Sequence, residues 1–227
     1  AVTCLSLEID IKIILAGVLL GGLIGSLIAI KVKMTAIPEM VALFNGFGGL
    51  ATFLIAWSQF NEPGNSMFQH VLIMLTIYIG GITFSGSLIA YGKLSEKLKL
   101  GKGSLITNIF ISFFYLSMPA LIYVIAEPSI SQFIPQAPSY FSIFLVLTLV
   151  AGIGFVMPIG GGDMPVVISL LNSLSGIAAA FAGLLLLNNV LIVAGSLVGA
   201  SGLILTIIMA KAMNRTITNI LFVGYAS

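Results

Sequence analysis

No charged side chain lies between Asp163 and Lys211, a run long enough for two membrane-spanning helices of about 20 residues each. Similar uncharged runs lie between Lys12 and Lys31, Glu39 and Glu62, Glu62 and Lys93, and Lys102 and Glu127. Hydrocarbon offers no partner to a free backbone N–H or C=O, so only helices or a closed barrel can cross it. The runs lack the strict alternation of a lipid-facing barrel strand, which leaves helices. The expected fold class is therefore all-α, a polytopic transmembrane helical bundle. Composition agrees: 7% of residues are charged and 59% hydrophobic, against about 25% charged in soluble domains. The net charge of +2 is too small and dispersed for a nucleic-acid partner, and the lipid bilayer is the first partner implied. Cys4 is the only cysteine, so neither an intrachain disulfide nor a cysteine metal site can be built. The opening AVTCLSLEIDIK has no initiator Met and no basic region before the apolar run, unlike a signal peptide. Residues 1–227 are thus expected to form a single transmembrane domain, a fragment or processed product of a longer subunit.

Breaks rich in charge, Pro, Gly or Asn divide the chain into about seven candidate spans. They are Ile9–Ile30, Pro38–Ser58, Met67–Tyr91, Leu105–Ile125, Tyr140–Met157, Met164–Leu187 and Asn189–Ala210. Alternating sides puts Lys31, Lys33, Lys93, Lys97, Lys99, Lys102, Lys211 and Arg215 together, with Lys12 alone opposite. The positive-inside bias makes the basic side cytoplasmic, or matrix in an organelle, and the N-terminus external. A miscounted span would scramble this segregation.

One pattern occurs twice. IPEMVALFNGFGGLA and MPVVISLLNSLSGIA each hold a proline, an asparagine seven residues on and a glycine four beyond: Pro38, Asn45, Gly49 and Pro165, Asn172, Gly176. Proline near a helix start is tolerated because its missing N–H has no intrahelical acceptor there. Seven residues of helix carry each asparagine roughly 10 Å inward. Both copies start on the cytoplasmic side, so the repeat is parallel, unlike the inverted repeats of many secondary transporters. Two amides at one depth read either as a buried polar site or as interhelical hydrogen-bonding glue.

Ionisable groups within a membrane are costly and usually functional, yet no mid-membrane position here is titratable. If protons or ions cross, the chain supplies amides, hydroxyls, backbone and water. Asp163 follows three glycines in IGGGDMP and opens the sixth span, where it reads as a helix N-cap or as a carboxylate at the cytoplasmic mouth. Glu39 has the same two readings, with the helix-dipole role favoured, and His70 reads as an interfacial histidine rather than a proton port. Gly17, Gly21 and Gly25 make a close-packing stripe on the first span, as do Gly195, Gly199, Gly202 and Thr206 on the seventh. Thr76, Gly80, Thr83 and Ser87 share one face of the third, for packing or for a narrow water path. No Gly-rich fingerprint follows a strand, and no Walker-type loop or pair of catalytic carboxylates is present. No catalytic, cofactor-binding or metal-ligating residue is expected in this stretch.

Five segments together resemble the membrane domain of the proton-translocating NAD(P) transhydrogenase beta subunit: KVKMTAIPEMVALFNGFGGLA, GGITFSGSLIAYGKL, IGGGDMPVVISLLNSLSGIAAAFAG, NNVLIVAGSLVGASG and IMAKAMNRTI. The resemblance runs from about the first span to the C-terminus. It implies proton passage coupled to hydride transfer from NADH to NADP⁺, the chemistry lying between peripheral nucleotide domains that bind NAD(H) and NADP(H). Beta subunits of this family carry further helices ahead of this region and an NADP(H)-binding domain after it. Asn172 and Asp163 match positions associated with the proton path and its cytoplasmic mouth. Gly195, Gly199, Ser201 and Gly202 match the small-residue helix implicated in coupling, and Lys211 and Arg215 the hinge toward the NADP(H) domain. Many members have a histidine, the expected protonatable group, at the position of Asn45, and a serine at that of Ala200. The amide at Asn45 cannot take up a proton, so the resemblance implies a histidine on a membrane helix of a partner alpha-type subunit.

The resulting expectation is a proton-translocation domain within a dimer of multi-subunit protomers, in a bacterial inner membrane by preference over a mitochondrial one. Asn45, Asn172 and Ser201 are the candidate proton path, and Asp163, Glu39, Lys211 and Arg215 the candidate mouth and coupling residues. The rival from another class is a stand-alone small-solute transporter or channel, which should move solute without nucleotides or a partner.

Overall fold

The computed structural model describes residues 11–60, 62, 64–98 and 138–221, with the backbone alone at 138–141. Every described element is helical. In chain order these are α1 (Ile11–Lys31), α2 (Ile37–Phe60), α3 (Met67–Leu94), α4 (Pro138–Val156), α5 (Met164–Leu185), α6 (Asn189–Ala212) and the short α7 (Ile217–Leu221), with 3₁₀ turns at Met34–Ala36 and Gly161–Asp163. Six of the expected spans are thus helices within a few residues of their expected bounds. The expected span at Leu105–Ile125 lies outside the described residues.

The chain divides at Ile37 into two units. The first holds α1, whose 21 residues cover about 31 Å, enough for a hydrocarbon core of about 30 Å. Lys31 closes its last turn, where a cation favours the negative end of the helix dipole. No residue of α1 is buried, and a methyl group at Gly17, Gly21 or Gly25 would meet nothing within 4 Å among the described residues.

In the second unit, α3 is the central helix. A capping box starts it: Ser66 Oγ accepts from the Gln69 N–H, and Gln69 Oε1 accepts from the Ser66 N–H at 2.8 Å. α2 runs antiparallel to α3, with Gly46 against Ser87 and Gly49 against Thr83 and Gly80. α4 runs parallel to α3, since Gly81 meets Thr148 and Gly86 meets Val156. That is the direction a seven-span chain requires of these two helices. α5 is antiparallel to α6, with Ser173 beside Gly199 and Gly202, and Gly183 beside Ile192. α2 and α5 therefore begin at one end, where α3 and α6 finish. Lys93, Lys97, Lys211 and Arg215 gather at that basic end.

Lipid tails are as apolar as leucine, so helices associate in a membrane through close packing and hydrogen bonds rather than through exclusion of water. The second unit is layered accordingly. At the basic end Ala42, Ala90, Val156, Ile159, Met164, Leu171, Ala210 and Ile220 of α7 form one apolar cluster. At the far end Phe53, Ala56, Leu72, Ile73, Met74, Ile77, Phe144 and Leu185 form another. Between the two lies a stratum of small and polar residues, in which Thr52, Thr83, Ser85, Ser87, Thr148 and Ser173 are buried.

Candidate functional site

The middle stratum holds a junction of three helices. Asn45 of α2 donates from Nδ2 to Ser87 Oγ of α3 at 2.9 Å. Its Oδ1 accepts from Ser175 Oγ of α5 at 2.8 Å, while the same hydroxyl lies 3.2 Å from the Leu171 carbonyl of its own helix. One amide thus links two hydroxyls on different helices, offering each what it lacks: a donor to one and an acceptor to the other. The approach is permitted by glycine. A methyl at Gly46 would lie 3.2 Å from Ser87 Cβ, and one at Gly49 would lie 2.9 Å from the Gly80 carbonyl. One turn from Ser87, the Thr83 hydroxyl is buried with no hydrogen-bond partner among the described residues. Thr52, facing the same interface, is satisfied by the Gly49 carbonyl at 2.9 Å.

A second polar seam joins α5 to α6. Ser173 Oγ donates to the Gly199 carbonyl at 2.6 Å, Ser169 Oγ to the Gly202 carbonyl at 3.3 Å, and Thr206 Oγ1 to Ser169 Oγ at 3.1 Å. Gly195, Gly199 and Gly202 are buried on this seam. Their backbones come close enough that a methyl at Gly202 would stand 2.9 Å from Ser173 Cβ.

At the basic end, Arg215 lies 3.8 Å from the carboxylate of Asp163, which is only 8% exposed. Here the capping expectation is corrected. Asp163 occupies the position before α5 but makes no side-chain capping bond. The 3₁₀ turn holds it at φ −90°, ψ −3°, whereas a capping aspartate needs extended backbone to turn its oxygens onto the first-turn N–H groups. Glu39 stands in the first turn of α2, half-buried, as the dipole reading requires. His70 bonds through Nδ1 to the Ser66 carbonyl at 3.0 Å and meets the Phe60 ring edge-on, in the cap region at the far end.

Asn172 is not part of the three-helix junction. It is exposed, because the residue that reaches Asn45 is Ser175, three positions on and about 60° away around the helix. Matching depth along the chain did not mean matching rotation. Ser201 is likewise exposed, its hydroxyl returned to the Val198 carbonyl at 3.2 Å, and Lys211 is exposed at the end of α6. Ser175 and Ser173 were not singled out from the sequence. Their signal was available: they stand where the first copy of the doubled pattern has Gly48 and Gly46.

The described residues do not fit a dinucleotide. They contain no strand, and the glycines 160–162 lead to a helix start carrying the Asp163 carboxylate, where a phosphate would meet a negative charge. No cluster of His, Cys, Asp and Glu among them could hold a metal.

The NAD(P) transhydrogenase beta subunit family model matches residues 1–227. The chain belongs to this family. Two curated relatives from Rhodospirillum rubrum, each named NAD(P) transhydrogenase subunit beta, are 40% identical to it over 225 residues, 94% of this chain and 47% of theirs. The chain spans about half the length of the curated relatives it matches. Family membership and the long apolar helices together make it a multi-pass membrane protein.

Proposed function

We propose that this chain is the proton-translocating membrane domain of NAD(P) transhydrogenase, coupling proton passage to hydride transfer from NADH to NADP⁺. The observation that carries the reading is the Asn45 junction: an amide and two hydroxyls on three helices, in a polar stratum between two apolar clusters. Polar side chains at such depth either bond helix to helix or order water along a path, and in this reading the junction does both. The amide does not titrate. It donates to the Ser87 hydroxyl and accepts from that of Ser175, and those hydroxyls with ordered water hand protons on. The titrating group comes from a partner alpha-type subunit as a membrane histidine. Asn172, an amide left exposed on an otherwise apolar helix flank, faces that partner. Asp163 and Arg215 form the cytoplasmic mouth, and the segment Lys211–Arg215 leads to the NADP(H) domain of the longer subunit, in a dimer of protomers in the bacterial inner membrane.

The test is Asn45→Leu in the assembled enzyme reconstituted into vesicles, with the change in internal pH followed while NADH reduces NADP⁺. With two interhelical hydrogen bonds lost at about 0.6 kcal/mol each on the membrane average, proton flux should fall roughly sevenfold. Flux at the wild-type level would remove the junction from the path, and solute movement by the chain alone without nucleotides would favour a stand-alone transporter instead.

A further inference from the structure

Lys93, the penultimate residue of α3, directs its ammonium at the end of α4 rather than at solvent or an acid. Nζ donates to the carbonyls of Val156 at 3.2 Å, Met157 at 2.5 Å and Ile159 at 2.7 Å. An ammonium has three donors and no acceptor, so the three carbonyls use it completely. Val156 ends α4, and the last carbonyls of a helix lack intrahelical partners and carry its negative partial charge. The ammonium therefore fixes both the helix end and the first residues of the segment that follows.

That segment leads directly to Asp163. Ile159 is buried in the basic-end cluster, but Gly160, Gly161 and Gly162 are exposed, and a methyl on any of them would meet nothing within 4 Å among the described residues. Packing does not hold the glycines, so the segment is pinned on one side by Lys93 and Ile159 and on the other by the Asp163–Arg215 pair. Six residues along α3 from Lys93, about 9 Å, Ser87 takes the hydrogen bond from Asn45. One rigid helix thus carries both a member of the polar junction and the clamp on the mouth segment.

We infer that Lys93 is a positioning residue that ties the Asn45–Ser87–Ser175 junction to the Asp163–Arg215 pair, acting through the backbone of residues 156–163. This rests on the role proposed above for Asp163 at the cytoplasmic mouth. The charge and reach of Lys93 are what matter, so arginine should serve and glutamine should not.

The experiment uses the assembled enzyme in vesicles and reads protons moved per hydride transferred for Lys93→Met, Lys93→Arg, Lys93→Gln, Asp163→Asn and the Lys93→Met/Asp163→Asn double variant. The expected result is at least a fivefold fall in that ratio for Lys93→Met and Lys93→Gln, at least half of it retained in Lys93→Arg, and a double variant no worse than Asp163→Asn. A normal ratio in Lys93→Met, or an effect that multiplies with that of Asp163→Asn, overturns the inference while leaving the mouth intact. A normal ratio in Asp163→Asn overturns the coupling reading itself. Should Lys93→Met fail to assemble, equal ratios in Lys93→Gln and Lys93→Arg overturn the inference, and a fall confined to Lys93→Gln supports it.

Discussion

Replacing Gly176 with alanine places a methyl group where the backbone of α6 already lies. The new carbon would stand 2.9 Å from the Gly195 carbonyl and from Gly199 Cα, and nearer still to the Gly199 nitrogen. Carbon contacts settle at about 3.5–4.0 Å, so α5 and α6 must part by roughly 1 Å. Overpacking of this kind costs about 1–3 kcal/mol. The bond from Ser173 to the Gly199 carbonyl, 2.6 Å now, stretches past its useful range, adding about 0.6 kcal/mol by the average for membrane interhelical bonds. Alanine's better helix propensity returns up to about 1 kcal/mol. The net destabilisation is about 1–3 kcal/mol, a roughly 5- to 150-fold change in the folding equilibrium. Reversible unfolding of the full-length subunit in bicelles, followed by steric trapping, measures it. Gly48→Ala is the internal control, since a methyl there meets nothing within 4 Å among the described residues. If Gly176→Ala unfolds no more readily than Gly48→Ala, the small-residue crossing does not hold α5 against α6 and the reasoning fails.

The remaining predictions concern the polar stratum. Thr83→Val keeps the shape of the side chain and removes a buried hydroxyl without a partner among the described residues. It should raise stability in the same unfolding assay by about 1 kcal/mol, and a loss of stability would show that the hydroxyl is satisfied in the assembled protein. Asn172→Cys, in a background with Cys4 and any other native cysteine replaced by serine, should cross-link to a cysteine on the partner subunit's membrane helix. Absence of any such product across a scan of that helix would refute the assignment of Asn172 to the subunit interface.

Much of the fold was legible in the sequence because depth is written along a helix at about 1.5 Å per residue. Runs without charge marked the spans, Pro38 and Pro165 marked two helix starts, and the lysines sorted the two ends. Gly195, Gly199 and Gly202, read as a packing stripe, lie where α6 meets α5. The candidate site was legible in part. Asn45 was found, and Ser87 was placed on a face read for packing or a water path, but Ser175 was not singled out; of the two readings of Asp163, the cap is not made, and the carboxylate faces Arg215.

The sequence by itself determined the helical class, the family, the depth of each polar group and the basic end. Rotation of each helix about its axis was decided by the tertiary structure. In water an apolar stripe reveals the buried face of a helix, but lipid is as apolar as a protein core, so the outward faces of α5 and α6 read like their inward ones. Only the packing of Gly46 on Ser87 and of Gly176 on Gly199 sets the angle that turns Ser175 toward Asn45 and leaves Asn172 exposed.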